Sequence, residues 1–357
     1  MKKIFMIGYS AEKGGVESYI NNVCSLLKAK YEIVLRWPTM VVDGKEWVVP
    51  KNRHNFLKYR LFWRKFFREN KFDVVYYNTC DLLSIDMLKY AKAAGVPVRI
   101  IHSHSADNNY FGSGILVPFH KWEERKNRKT LHRYATDLLA CSKTAGDWMF
   151  DSRQYTIINN GIHLGDYAFS EEKRSKVLQS LGDVTANKVV ACLGRLAPPK
   201  NSFKCLSIFA ELCRQHDDAL CLFIGDGEYR ERLEQKVAEL GLQKKVLFTG
   251  AVDNVNEWLS LVDAILMPSN WEGLPFALVE AQAAGIHSLV SDRMSTEANI
   301  TGLVEYEKLD ASDEDWAKRL YELALMPRED VSQSLTAAGY SIENTAKVIE
   351  QIIEAEH

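Results

Sequence analysis

No run of about 18 apolar residues, the length a membrane-spanning helix needs, occurs in this 357-residue chain. Met1-Lys2-Lys3 leads directly into the strand-like KIFMIGYS, with no leader-like apolar core between, so a cytoplasmic location is expected. Cysteine is sparse and unpaired in pattern: seven residues, odd in number, scattered from Cys24 to Cys221 with no CxxC. That excludes a disulfide framework or a zinc site as the organising feature and fits a reducing compartment. There is no GxGxxG, no low-complexity segment and no recognised nucleic-acid motif, so nucleic acid is not an expected partner. What remains is a chain with 46% hydrophobic and 26% charged residues, long enough for two ordinary cores.

The formal charge of −2 hides an asymmetry. Residues 1–150 carry about 25 Lys and Arg against about 14 Asp and Glu, the remainder about 20 against about 33. Much of the excess lies in KNRHNFLKYRLFWRKFFRENK (Lys51 to Lys71) and HKWEERKNRKTLHRY (His120 to Tyr134). A basic helix interleaved with aromatics suits an anionic membrane surface. The same pattern also fits a solvated helix whose rings pack on its own sheet.

Strand-like runs recur at Lys3–Ser10, Glu32–Leu35, Phe72–Tyr77, Val96–His102, Leu138–Cys141 and Tyr155–Asn159, with helix-patterned segments between. This alternation predicts a parallel α/β sheet over 1–166. In the helix from Val16, Tyr19, Ile20, Val23 and Leu27 share one face. Residues 167–187 are polar and read as a linker. A second alternating series fills 188–339, with strands at VVACLG, ALCLFIG, KVLFTG, AILMPS and SLVSD. Tyr340 to Glu356 predicts a terminal helix.

The chemistry gathers on loops. In SNWEGLPFALVEAQAAG (Ser269 to Gly285) a strand ends, a Gly-Leu-Pro turn follows, and a helix starts at about Pro275 with Val279 and Ala283 expected inward. Glu272 and Glu280 stand eight apart across that turn. Helix amides bind anions and ionised carboxylates accept hydroxyls, so the stretch suits a ligand with both phosphate and sugar. An acidic loop before an ordinary amphipathic helix has the same pattern. GRLAPPKN puts Arg195 and Lys200 on the loop leaving a strand, where the pair can neutralise a diphosphate or simply decorate a surface. Gly14 and Gly15 open the first helix and allow close approach of a ligand, though turn chemistry alone would use them too. The loop after FTG can present amides near Val252. RIIHSHS sets His102 and His104 on one side of a strand, able to bond a sugar hydroxyl or, with Asp107, a metal.

GGVES, HSHS, ACSKTAGDWMF, INNGI, GRLAPPKN, GDG, FTGAVDNV and SNWEGLPFALVEAQAAG occur in one order. That order resembles family 4 of the retaining glycosyltransferases, in particular its bacterial capsule and exopolysaccharide branch, from about Lys3 to about Asp310. The resemblance implies a GT-B fold: α/β, two Rossmann-like domains with parallel sheets facing a central cleft, the helix 340–357 returning to the first. It implies Glu280 on the donor ribose and Glu272 against the transferred sugar. Arg195 and Lys200 would hold the diphosphate, the amides of Leu274, Phe276 and Ala277 would complete the cradle, and Gly15 would approach the donor. His104 is the better match to the family's strand-end histidine, with His102 second. Ser105 and His287 depart from the branch pattern and would retune acceptor contacts.

The function so implied is metal-independent, retaining transfer of a hexose from a nucleotide sugar, UDP-linked, to a lipid-linked or growing surface polysaccharide. No cofactor is expected, and residues 51–71 would dock on the inner face of the membrane. Two other outcomes share the fold: a nucleotide-sugar epimerase, and an inactive partner subunit that keeps the cleft for interaction.

Overall fold

The structure, a computed structural model, describes residues 1–10, 15–50, 56–105, 117–182, 188–270, 272 and 275–356. Two compact units divide the chain: Met1–Ile162 with Ile342–His357, and His163–Ser341.

The first unit runs β1 (Lys3–Ile7), α1 (Gly15–Leu27), β2 (Glu32–Leu35), a hairpin of β3 (Thr39–Val42) and β4 (Lys45–Val48), and α2 (Phe56–Glu69). It continues through β5 (Val74–Thr79), α3 (Asp86–Ala93), β6 (Val98–Ser103), α4 (Val117–Thr130), β7 (Asp137–Ala140), α5 (Lys143–Phe150) and a short β8 (Thr156–Ile157). Six strands pair in parallel in the order β2-β1-β5-β6-β7-β8. A parallel sheet is covered on both faces, so β1 is buried at all five positions and its side chains alternate between two cores. Ile4 and Met6 face Tyr19, Ile20, Val23 and Leu27, the α1 face expected from spacing. Ile342, Ala346, Ile349 and Ile353 of the chain's last helix join the same core.

Phe5 faces the other way, its ring 5.2 Å from Phe66 and 5.2 Å from Phe72. Trp63, Phe66 and Phe67 of α2 are buried there too, so these rings pack on the unit's own sheet, one of the two arrangements the pattern of residues 51–71 allowed. Each ring so buried contributes about 2 kcal/mol. Residues 51–55 of that segment lie outside the described residues.

The hairpin was not expected. Its turn is Asp43-Gly44 with φ of 50° and 75°, the left-handed pair a two-residue hairpin loop requires, and it turns Met40, Val42 and Trp47 into the α2 core.

The second unit comprises α6 (Glu171–Ser180), β9 (Lys188–Leu193), α7 (Ser202–Gln215), β10 (Ala219–Ile224), α8 (Arg230–Glu239), β11 (Val246–Gly250) and α9 (Val255–Leu261). After these come β12 (Ala264–Met267), α10 (Phe276–Ala283), β13 (His287–Ser291), β14 (Val304–Glu307), α11 (Asp313–Ala324) and α12 (Ser332–Ala337). Its sheet, again parallel, has the order β11-β10-β9-β12-β13-β14. The last helix of the chain, α13 (Ile342–Glu354), belongs to the first unit.

Of residues 167–187, expected as a linker, 167–182 instead contribute to the second unit, and 183–187 lie outside the described residues. Val177 of α6 is buried with Leu259 and Leu261, and Arg174 Nη1 donates to Leu261 O at 2.8 Å and Asp263 Oδ1 at 3.2 Å. Polar composition concealed this because α6 rests on one apolar row and one half-buried arginine.

Candidate functional site

Three loops leave the carboxyl ends of β9, β10 and β12 and are stitched together. Leu196 N donates to Asp226 O at 2.9 Å and Tyr229 N to Leu196 O at 3.1 Å. This approach needs glycine. At Gly225 (φ 142°) a Cβ would stand 2.1 Å from Gly194 O, and at Gly227 one would stand 2.4 Å from Leu196 O. From the third loop, Asn270 N donates to Pro199 O and Asn270 Nδ2 to Pro198 O, each at 2.9 Å. Asn201, left-handed at φ 52°, returns a bond from Nδ2 to Pro268 O at 3.1 Å. Sequence reasoning missed both asparagines, although an Asn closing a Pro-Pro-Lys turn is a turn signal.

Within this frame Lys200 Nζ lies 2.8 Å from Glu272 Oε2, and Ser269 Oγ donates to Glu272 Oε1 at 2.6 Å. Both members of the pair are largely shielded, at 18% and 13% side-chain exposure. Ser269 is held in turn, its carbonyl accepting from Ser291 Oγ at 2.6 Å. The lysine stem crosses Gly194, where a Cβ would meet its Cε at 2.9 Å. Arg195 stands exposed on the same loop.

Pro275 is the residue before α10 rather than its first helical residue, and Phe276 and Ala277 open the helix. Those positions carry amides with no intrahelical acceptor, the anion-favouring end of the helix. Leu274 lies outside the described residues. α10 is not amphipathic: Leu278 through Gln282 are all buried, whereas Ala283, expected inward, is half-buried. Two of the buried side chains are polar, and each has its partners. Gln282 bonds Leu278 O and Ala298 O and accepts from the amides of Ile300 and Thr301. Glu280 Oε1 accepts from the Tyr167 hydroxyl at 2.6 Å. Burial pushes the Glu280 carboxyl up to about 7, opposed by the Tyr167 bond and by Lys200. Tyr167 was not singled out from sequence because it falls in the polar stretch.

Lys200, Glu272, Glu280 and the start of α10 therefore meet at one sheet edge. Val252 does not adjoin them in the sheet order: it follows β11 at the outer edge, two strands from β9, half-buried against the core. His287 opens β13, at the end opposite to Ser291 and the site, where its Nε2 lies 3.8 Å from Glu329 Oε1. Its role in acceptor contacts is accordingly withdrawn.

In the first unit Gly15 begins α1, exposed, and Gly14 lies outside the described residues. His102 and His104 do share a side of β6, ring centroids 4.1 Å apart. His102 is fully buried, its Nδ1 3.0 Å from the Tyr76 hydroxyl, which lies 2.7 Å from that of Tyr19. His104 Nε2 lies 3.0 Å from Asn78 Oδ1, and Asn78 Nδ2 donates to Ile7 O at 3.0 Å. With the amide oriented by Ile7, His104 Nε2 must carry the proton, which leaves Nδ1 as the acceptor. Burial pushes His104 down to about 3, with Asn160 opposing, so the ring is neutral. His104 Nδ1 and Asn160 Oδ1 are both buried, with the Asn160 side chain set against the ring. Asp107 lies outside the described residues, and among those described no group of three His, Cys, Asp or Glu is placed to hold a metal.

Residues 173–354 match the family model of Glycosyl transferases group 1, and residues 13–166 that of Glycosyltransferase Family 4. The chain is a family 4 glycosyltransferase. This glycosyltransferase is 28% identical to EpsF of Bacillus subtilis (strain 168) over 71% of its own length and 67% of EpsF. It is 27% identical over 64% of its length to UDP-Gal:alpha-D-GlcNAc-diphosphoundecaprenol alpha-1,3-galactosyltransferase of Escherichia coli, spanning 60% of that enzyme. Among solved structures it resembles Anabaena HepE in complex with UDP, with a TM-score of 0.74 at 18% identity, covering 98% of this chain and 99% of that one. WaaG, a glycosyltransferase involved in lipopolysaccharide biosynthesis, aligns with a TM-score of 0.68 at 16% identity, over 97% and 95% of the two chains. The fold of this family 4 enzyme is GT-B, with two Rossmann-like halves.

Proposed function

We propose that this glycosyltransferase moves a hexose from a UDP-sugar to a lipid-linked or growing surface polysaccharide, with retention and without a metal. The observation that carries the proposal is the shielded Lys200–Glu272 pair beside the start of α10. A nucleoside diphosphate gains negative charge as it leaves. Lys200, Arg195 and the amides of Phe276 and Ala277 are the groups that would stabilise that charge as it develops. Glu272, released from Lys200, would accept hydroxyls of the transferred sugar, and Glu280 those of the ribose. His104 Nδ1 is a neutral acceptor for a further sugar hydroxyl.

The bond from the anomeric carbon to the phosphate oxygen breaks, and the nucleoside diphosphate keeps the electron pair. The acceptor oxygen bonds the same face of that carbon, and its proton passes to a phosphate oxygen. The donor named for the Escherichia coli relative, a UDP-sugar, and the UDP complex of HepE support a UDP-linked donor. The lipid-linked substrate of that relative supports work at a cytoplasmic membrane face.

The test is turnover and thermal stabilisation with a panel of UDP-, GDP- and dTDP-sugars, with and without EDTA, for the native chain, Glu280→Ala and Arg195→Ala. Turnover with a UDP-sugar that survives EDTA and disappears in both variants supports the reading. Full activity in both variants contradicts it, UDP release without acceptor dependence points to an epimerase, and absent donor binding points to an inactive subunit.

A further inference from the structure

Glu272 is held from two sides by groups of unequal rigidity. Lys200 reaches Oε2 at 2.8 Å from the end of a flexible stem that can swing to another partner. Ser269 reaches Oε1 at 2.6 Å with a hydroxyl carried directly on its Cβ, and the residue is fully buried. A side chain so short cannot follow a moving partner, so this bond fixes the position of the carboxylate rather than the reverse.

The backbone that carries the hydroxyl is itself fixed by a third residue. β12 and β13 pair in parallel with Leu266 opposite Leu289 and Met267 opposite Val290. The same register would bring Pro268 level with Ser291, and proline has no N–H to continue the ladder. The pairing stops there, and the carbonyl of the buried Ser269 needs a donor from elsewhere. Ser291, fully buried at the end of β13, supplies it from its side chain, Oγ donating to Ser269 O at 2.6 Å. One residue further on, Asn270 bonds the carbonyls of Pro198 and Pro199, so the segment is tied on both sides of the Ser269 hydroxyl.

Donor binding would treat the two oxygens of Glu272 differently. Once Lys200 turns to the diphosphate, Oε2 has lost its cation, whereas the bond from Ser269 to Oε1 involves no group the donor needs. An ionised carboxylate only accepts, and with Oε1 engaged Oε2 is the oxygen left open to a sugar hydroxyl. Without the serine the released side chain would have all its torsions to explore, and fixing it at each encounter would weaken binding.

We propose that Ser269 is the positioning residue for Glu272, with Ser291 holding Ser269 in place, so that Oε2 is the atom that meets the hydroxyls of the transferred sugar. The proposal deepens the donor reading and rests on its placement of Glu272 against that sugar. Both serines act through the acid and not on the donor itself.

The test is calorimetric titration of UDP, UDP-glucose and UDP-galactose into the native chain, Ser269→Ala, Ser291→Ala, Glu272→Ala and the double variant Ser269→Ala/Glu272→Ala. The sugar nucleotide that the native chain binds more tightly is the one compared. Ser269→Ala is expected to lose about tenfold or more in affinity for it, as for a hydrogen bond to a charged group, and to keep native affinity for UDP. UDP is the control for folding, since a damaged site would lose both ligands. Ser291→Ala is expected to show the same split at about threefold, the smaller effect of a neutral bond. In the double variant the serine change is expected to add nothing to the loss caused by Glu272→Ala, whereas a serine that merely supports the loop would cost the same with or without the acid. Equal losses of UDP and sugar nucleotide in Ser269→Ala, no loss in that variant, or additive losses in the double variant would overturn the proposal and leave the donor reading intact. Native sugar-nucleotide affinity in Glu272→Ala, or no binding by the native chain, would overturn the donor reading and the proposal with it.

Discussion

The Tyr167 hydroxyl donates to Glu280 Oε1 at 2.6 Å, joining the first turn of the second unit to the buried acid of α10. A hydrogen bond to a carboxylate favours its charged form, while burial favours the neutral one. Here burial is the larger effect, and the acid is held near 7 instead of its ordinary 4.5.

Removing the hydroxyl should therefore move the acid further up. A hydrogen bond to a charged group is worth about 1.5–3 kcal/mol, which corresponds to about one to two pH units. Tyr167→Phe is expected to shift the acid limb of UDP-sugar binding upward by about one unit while leaving affinity at pH 9 close to native. Isothermal titration across pH 5–9 checks this, and an unshifted limb would mean that the bond does not govern the charge on Glu280.

Glu280 also has a stability consequence of definite sign. Its acid is weaker folded than unfolded, so its contribution to stability is complete below about pH 4.5 and is lost as pH rises through about 7. The loss is of order 3 kcal/mol. Glu280→Gln is expected to melt higher than the native chain at pH 8 and together with it near pH 4, while binding donor poorly. Melting curves at the two pH values decide the matter.

The Lys200–Glu272 pair should respond differently to single and double replacement. Lys200→Met leaves a shielded carboxylate that still accepts from the Ser269 hydroxyl but has lost its cation, and is expected to cost about 3 kcal/mol. Adding Glu272→Gln should recover most of that loss. Neither variant should turn over. Chemical denaturation of the four proteins of the cycle gives the coupling.

Arg328 is a structural counterpart that touches no site residue. Its guanidinium donates to Ala284 O, Leu259 O, Ser260 O and Val262 O at 2.6–3.1 Å, closing the carboxyl ends of α9 and α10, and lies 4.7 Å over the Phe169 ring. Arg328→Met leaves those carbonyls without their donor and is expected to lower stability by about 2–4 kcal/mol with UDP affinity preserved in the folded fraction. An equal loss of affinity would show that the site depends on this latch.

How far the sequence disclosed this molecule varies from residue to residue for physical reasons. Periodicity is a local property, so the α1 face and the strand Glu32–Leu35 were legible as they stand. The Asp43-Gly44 turn was equally local and was passed over, because four-residue strands on either side leave too short an alternation to notice. Glu272 and Lys200 were legible as residue types, but their pairing was not, since it depends on two loops 72 positions apart being stitched through Asn201 and Asn270. Tyr167 was illegible for the same reason at greater separation. The helix α10 misled because its buried Glu280 and Gln282 look solvent-facing until their partners are known. In the basic segments, composition named the surface charge correctly but could not say which aromatic rings folding would take inward.

The account turns on Lys200 leaving Glu272 for the donor diphosphate. The most direct measurement is calorimetric titration of UDP, in buffer containing EDTA, into the native chain, Lys200→Met and Glu272→Gln. The account predicts binding by the native chain, a loss of about tenfold or more in Lys200→Met, and native or tighter UDP affinity in Glu272→Gln, whose lysine is already free of its carboxylate. Native UDP affinity in Lys200→Met would contradict it.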